Sequence, residues 1–215
     1  MNKFWDYFNN TAAPRIQHRA VSFRAMFEHL DQIKGPVLIV ETGCARQVDN
    51  YAGDGQSTII FDRYVTERND GSEVLTVDIN PQATAYCIDR VTDRVTVTTS
   101  DSVGYLNTLA NTLTRKIDLL YLDSYDVDFE YWFPSAAHHL KELTAITRAV
   151  DKNTLVVVDD CPPVATVAPG ADPGQTQIYN VRVGGKGRLV AEYAQAVGAE
   201  LQFSFYQAGW KGFNL

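Results

Sequence analysis

Val37-Leu38-Ile39-Val40-Glu41-Thr42-Gly43 decides how the rest of the chain is read. Four apolar residues, three of them β-branched, stand between Pro36 and Gly43 without the alternation of a half-solvated strand. That profile belongs to a strand buried on both faces, as in a parallel sheet covered by helices. Upstream, Ile16, Val21, Phe23, Met26, Phe27, Leu30 and Ile33 recur at three- and four-residue spacings between Pro14 and Lys34. This is the pattern of an amphipathic helix, stopped by Gly35 and Pro36.

Downstream the same alternation repeats. Helices are expected at Ser57–Glu67, Pro81–Arg90, Ser102–Leu113, Ser135–Val150 and Arg188–Val197. Strands are expected at Val74–Asp78, Val95–Thr99, Ile117–Asp123, Thr154–Asp160 and Glu200–Tyr206. Strands alternating with helices require right-handed crossovers, so the chain is predicted to be an α/β protein with a doubly wound, mostly parallel sheet and helices on both faces. Residues 1–35 read as a helical amino-terminal extension and 36–215 as the catalytic domain. Cys161–Gly187 holds four of the eight prolines and five of the fourteen glycines. It is too long for an ordinary connection and reads as a lid-like insertion near 161–187.

Composition narrows the function. The 215 residues include 19 Lys and Arg against 26 Asp and Glu, a net charge of −7. With no concentrated basic patch, a surface of that sign repels phosphate backbones, and nucleic acid is excluded as a partner. Cys44, Cys87 and Cys161 are odd in number and far apart, so neither a disulfide framework nor a zinc site is expected, and a reducing cytoplasm fits. No apolar run approaches the ~18 residues of a membrane span.

The acids carry the chemistry. Glu41, Asp78, Asp123 and the pair Asp159-Asp160 each close a predicted buried strand. In an open parallel sheet the carboxyl ends of the strands border the ligand crevice. A lone acid there often caps the next helix. Capping does not explain two adjacent acids followed by Pro162 and Pro163. With neighbouring strands ~4.8 Å apart, Asp123, Asp159 and Asp160 would meet and repel unless a hard cation such as Mg²⁺ joined them.

At these residues a family resemblance appears. Glu41-Thr42-Gly43 with Gly55-Gln56-Ser57 opening the next helix resembles the first motif of class I S-adenosylmethionine (SAM)-dependent methyltransferases. VLTVD ending at Asp78 matches the place where those enzymes set an acid on the ribose. Ser100-Asp101-Ser102 resembles the segment at the adenine. LLYLDSYD followed by VVVDD is similar to metal-dependent O-methyltransferases of the catechol and macrocin sugar types. The resemblance covers roughly 37–160. It implies a Rossmann-like fold and SAM held by Glu41, Gly43, Ser57, Asp78, Ser100, Asp101 and Asp123. It also implies Mg²⁺ or another divalent cation on Asp123, Asp159 and Asp160, and a small hydroxylated acceptor such as a sugar or phenol.

The departures are specific. CARQVDNYAGD stretches the compact glycine turn, the last antiparallel strand must be short or missing, and where relatives place a basic Lys or Asp this chain offers Tyr125 and Asp126, of which Asp126 is the candidate base.

Other features have plainer readings. His138 and His139 are adjacent on a helix and cannot face the same way, and a packing role is the commoner one. Phe4, Trp5, Tyr7 and Phe8 read as a packing or subunit contact, compatible with a homo-oligomer. Gly184-Gly185-Lys186-Gly187 lacks the remainder of a phosphate loop and reads as a turn. A nicotinamide-dependent oxidoreductase is the alternative enzyme, weakened by the absence of GxGxxG; a catalytically silent nucleotide-binding module is the alternative outside enzymes.

Overall fold

The structure, a computed structural model, describes residues 2–213. The amino-terminal segment comprises α1 (Asn2–Tyr7), a π-helical turn (Phe8–Ala12), α2 (Ala13–Ile16), a 3₁₀ turn (Gln17–Arg19) and α3 (Ala20–Asp31). The alternating region follows as β1 (Leu38–Thr42), α4 (Ser57–Arg68), β2 (Glu73–Asp78), α5 (Pro81–Ile88), β3 (Val95–Thr99), α6 (Ser102–Thr112), β4 (Leu119–Leu122), α7 (Phe133–Ile146) and β5 (Leu155–Val158). The chain ends with β6 (Val164–Pro169), β7 (Thr176–Arg182), α8 (Arg188–Val197), β8 (Glu200–Ser204) and β9 (Ala208–Lys211).

Seven strands form one sheet in the order β3-β2-β1-β4-β5-β9-β8. The first five are parallel, and β9 runs antiparallel to β5. The last strand is therefore present and four residues long. Side chains alternate across each strand, and the core divides accordingly. Ile39, Leu119, Tyr121 and Val157 face one layer with α3, α4 and the amino-terminal aromatics. Leu38, Val40, Leu120 and Val158 face the other, with α6, α7 and α8. Phe4, Phe8, Ile16 and Phe27 are fully buried in the first layer, so the amino-terminal segment closes one side of the sheet.

Two local departures from the sequence pattern matter for the site. The helix expected over Pro14–Lys34 is interrupted at Gln17, whose φ of 52° no continuous α-helix accommodates. Apolar spacing does not register the break, because Ile16 and the residues from Phe23 onward still face the core. The break turns Arg19 inward, to 5% exposure. In addition, the long 161–187 stretch is ordered as an antiparallel ribbon, β6 paired with β7, whose residues are almost all exposed. Among the described residues no helix is long and apolar enough to cross a membrane.

Candidate functional site

The order of strands reverses between β1 and β4, and at such a switch point the loops beyond the two strands diverge and leave a crevice. Gly43 leaves β1 at φ +80°, and a Cβ there would run into the carbonyl oxygen of Asp123 at the end of β4. The amide of Asp123 donates to the carbonyl of Thr42 at 3.0 Å, so the two strand ends are locked together beneath the crevice.

Two cavities open above this point. One is about 290 Å³, more apolar, and lined by Val77, Ile79, Asp101, Ser102, Tyr125 and His138. The other is charged, lined by Arg19, Arg46, Asp54, Asp123, Asp126 and Asp160 among others, with Gly43, Cys44, Ala45 and Ser57 at its side. Asp78 and Ser124 line both, which makes the cavities one cleft.

Each wall has a local reason. Asp78 accepts hydrogen bonds from the amides of Cys44 (3.2 Å) and Asn80 (2.8 Å), tying the stretched first loop to the end of β2. Asp101 caps α6, accepting from the amide of Gly104 at 2.8 Å, while Ser100 donates its amide to the carbonyl of Asp78. Ser102 and His138 are in contact at 3.0 Å, and the His138 imidazole lies 3.3 Å from Glu142. His139 is fully buried, and burial pushes its imidazole down to about 4. Of the two adjacent histidines, only His138 lines the cleft.

Glu41 lies beneath the cleft, fully buried. Its Oε2 accepts from the Thr58 hydroxyl at 2.7 Å, and that hydroxyl accepts from the amide of Ala45 at 3.0 Å. Glu41 thereby fastens the first loop to the amino end of α4. Among the described residues its other oxygen has no hydrogen-bond partner of normal geometry, and burial, opposed by the nearby Ser57, Thr58 and Thr76 hydroxyls, raises the carboxyl from 4.5 to about 7.

Asp123, Asp159 and Asp160 come together as the sequence pattern anticipates, and basic side chains come with them. Lys186 Nζ lies 2.5 Å from Asp123 and 2.9 Å from Asp160, and is 1% exposed. Arg19 lies 3.3 Å from Asp160 and 3.5 Å from Asp159. Asp159 also accepts from Tyr121 (2.8 Å), Gln207 (2.8 Å) and the amide of Asp160 (2.7 Å). Burial alone would lower the Lys186 ammonium, but Asp123, Asp160 and Asp159 outweigh it and hold Lys186 above the ordinary lysine range. Burial likewise opposes ionisation of Asp160, and Lys186 overcomes it, holding that carboxyl below its ordinary value. Among the described residues no group of three His, Cys, Asp or Glu is arranged to hold a metal ion.

Asp126, the candidate base, borders the charged cavity with its side chain 76% exposed. Both its oxygens accept from Arg46, which also pairs with Asp54. Lys186 and Arg19 are the site residues that sequence reasoning passed over. The one signal for Lys186 was its glycine setting. Gly185 has φ +50°, and a Cβ there would meet the carbonyl oxygen of Asp160. Arg19 carried no signal, because the turn that aims it is not encoded in apolar spacing.

A family model described as a methyltransferase domain matches residues 52–161, just over half of the chain. The chain belongs to that family. The matched region runs from the loop before α4 to the foot of the ribbon and takes in Asp78, Asp101, Asp123, Asp126, Asp159 and Asp160. No curated protein sequence gives a significant match. Among solved structures, the methyltransferase domain is similar to the MycE methyltransferase of the mycinamycin biosynthetic pathway, which was solved with Mg and SAH. The TM-score is 0.60 at 13% identity, with 98% of this chain and 53% of that one covered. It is also similar to DesVI of Streptomyces venezuelae, with TM-score 0.51, 11% identity and 98% of each chain covered. A third is a SAM-dependent methyltransferase from Anabaena variabilis, with TM-score 0.51, 10% identity and coverage of 98% and 94%. At such identities the likeness is one of fold. The chain spans about half the length of the mycinamycin-pathway protein.

Proposed function

We propose that this methyltransferase domain transfers the methyl group of SAM to a hydroxyl oxygen of a small polar metabolite. The observation that carries the reading is the single cleft shared by two cavities of opposite character, meeting at Asp78 over the switch point. The more apolar cavity suits an adenine between Ile79 and Tyr125, with Asp101 and Ser102 at its edge. Asp78 suits the ribose hydroxyls, and Gly43 and Ser57 suit the methionine end. Glu41 acts from behind, holding that loop through Thr58. The family match does not favour the nicotinamide alternative, which needs a dinucleotide.

SAM supplies a methyl already activated by its sulfonium, so the protein has chiefly to align the acceptor. Asp126, held in place by Arg46, takes the proton from the acceptor hydroxyl. Arg46, Asp54 and Asp126 present donors and acceptors rather than a flat apolar wall, which favours a polyhydroxylated acceptor such as a sugar over a phenol. A divalent cation on Asp123, Asp159 and Asp160, expected from the sequence resemblance, does not fit the donor set. Lys186 stands between two of the carboxylates, and both oxygens of Asp159 are turned to protein donors.

Calorimetric titration with S-adenosylhomocysteine (SAH) tests the cofactor reading. One-to-one binding is expected, weakened at least tenfold in Asp78→Ala, where a charge-assisted hydrogen bond worth about 1.5–3 kcal/mol is lost. Absence of SAH binding, or an unaffected Asp78→Ala variant, would refute it. SAH release with SAM and a panel of sugars, phenols and amines then sorts the acceptors; turnover of amines alone would remove the hydroxyl assignment.

A further inference from the structure

We propose that Lys186, with Arg19, is the resident cation of the acidic cluster, so that this site works without a divalent metal and becomes a metal site only when Lys186 is removed. The inference deepens the methyltransferase reading and rests on it for the site's purpose, though its test does not.

Three carboxylates meet within hydrogen-bonding reach of two cations, and those cations carry together the same +2 as a divalent metal. A carboxylate triad brought together in a buried setting is strongly repelled unless cations neutralise it, and Lys186 and Arg19 do so from within the chain. Lys186 bonds one oxygen of Asp160 (2.9 Å) and Arg19 approaches the other (3.3 Å), so Asp160 has no side-chain oxygen free of a cation. Asp159 has donors on both oxygens: Tyr121 on one, Gln207 and the amide of Asp160 on the other. Mg²⁺ demands near-octahedral oxygen ligands at about 2.0–2.1 Å. Reaching that geometry would mean ejecting a buried ammonium from two carboxylates and rotating Asp159 away from its three donors.

Lys186 reaches the cluster because the β6–β7 ribbon leaves the sheet at Asp160 and returns to it at Lys186. The two feet touch: the amide of Lys186 donates to the carbonyl of Asp160 at 3.2 Å. This approach requires a glycine at 185, where a side chain would collide with that carbonyl, and it leaves Asp160 at a positive φ of 48°. Non-glycine residues in that region are strained and persist where the surroundings impose them. Here the surroundings are the ion pairs to Lys186 and Arg19 together with the backbone hydrogen bonds at Asp160. The ribbon therefore delivers a cation to the reacting end of the cleft, and Lys186 is a positioning residue that sets the orientation of Asp123 and Asp160.

The test is a Mn²⁺ titration of the full chain, followed by electron paramagnetic resonance and calorimetry, with SAH affinity measured on the same preparations. The wild-type chain is expected to show no stoichiometric Mn²⁺ binding. Lys186→Ala is expected to gain one site per chain, lost again in Lys186→Ala/Asp160→Asn. One-to-one Mn²⁺ binding by the wild type overturns the proposal without recourse to any variant. So does a Lys186→Ala chain that keeps its circular dichroism and SAH affinity yet binds no Mn²⁺. If Lys186→Ala does not fold, Lys186→Gln, which keeps most of the stem and removes the charge, is titrated in its place and read the same way. Failure of SAH binding in the wild type would strike at the methyltransferase reading and leave the metal result standing.

Discussion

Replacing Glu41 by glutamine tests whether the carboxyl beneath the cleft is as costly as its surroundings imply. Glu41 is fully buried, accepts from Thr58 through one oxygen and, among the described residues, has no partner of normal geometry on the other, and burial raises its ionisation from 4.5 to about 7. At about 1.4 kcal/mol per pH unit, the folded chain disfavours the charged form by about 3 kcal/mol. The sign follows from the two states. Below about pH 4.5 the carboxyl is neutral in folded and unfolded chains alike, and ionisation affects neither. Between about 4.5 and 7 the unfolded chain ionises while the folded chain keeps its proton, so stability falls as pH rises. Above about 7 both are ionised and the folded state carries the whole penalty. Glutamine has no such dependence, can still accept from Thr58, and turns its amide towards the Ser57 and Thr76 hydroxyls. Any loss from imperfect hydrogen bonding, about 1 kcal/mol, is the same at every pH. Urea denaturation of wild type and Glu41→Gln from pH 4.5 to 8.5 should show the variant gaining about 3 kcal/mol on the wild type across the series. Parallel stability curves would refute the reasoning, since they would mean that Glu41 ionises at its ordinary value.

Gly43→Ala should cost about 3 kcal/mol, combining a left-handed backbone with a collision against the Asp123 carbonyl. A guanidinium titration would measure the loss, and a change under 1 kcal/mol would show that β1 and β4 need not approach so closely. Asp126→Asn should lower kcat by about a hundredfold, the usual contribution of a general base, with SAH affinity unchanged. A variant with wild-type kcat would pass the base's role to another group, Asp123 being the next carboxylate along the cleft.

The order of strands and helices was legible because it rests on local composition. VLIV, LLYL and VVV admit only buried strands, and the acids that close them fall at the crevice because a parallel sheet puts every carboxyl end on one edge. Asp78 at the end of β2 was likewise readable as a rim residue from its place after an apolar run, and Asp101 at the head of α6 from the resemblance of Ser100-Asp101-Ser102 to the family's adenine segment. The 161–187 insertion was visible as an anomaly of proline and glycine, but its pairing as a ribbon was not, because the register Val167↔Ile178 joins residues with no shared local pattern.

The pairing of the cations with the acids was beyond reach of any local reading. Arg19 lies 141 positions from Asp160, and Lys186 lies 63 from Asp123. An acid's strand position is set by hydrophobic patterning within a few residues of it, whereas the partner that neutralises it is set by where a turn at Gln17 and a glycine at 185 send the chain. By itself, the sequence determined the α/β sheet, its acidic edge and the kinship with methyltransferases. Only the tertiary structure decided what balances that edge, because charge compensation depends on distance through space and not on spacing along the chain.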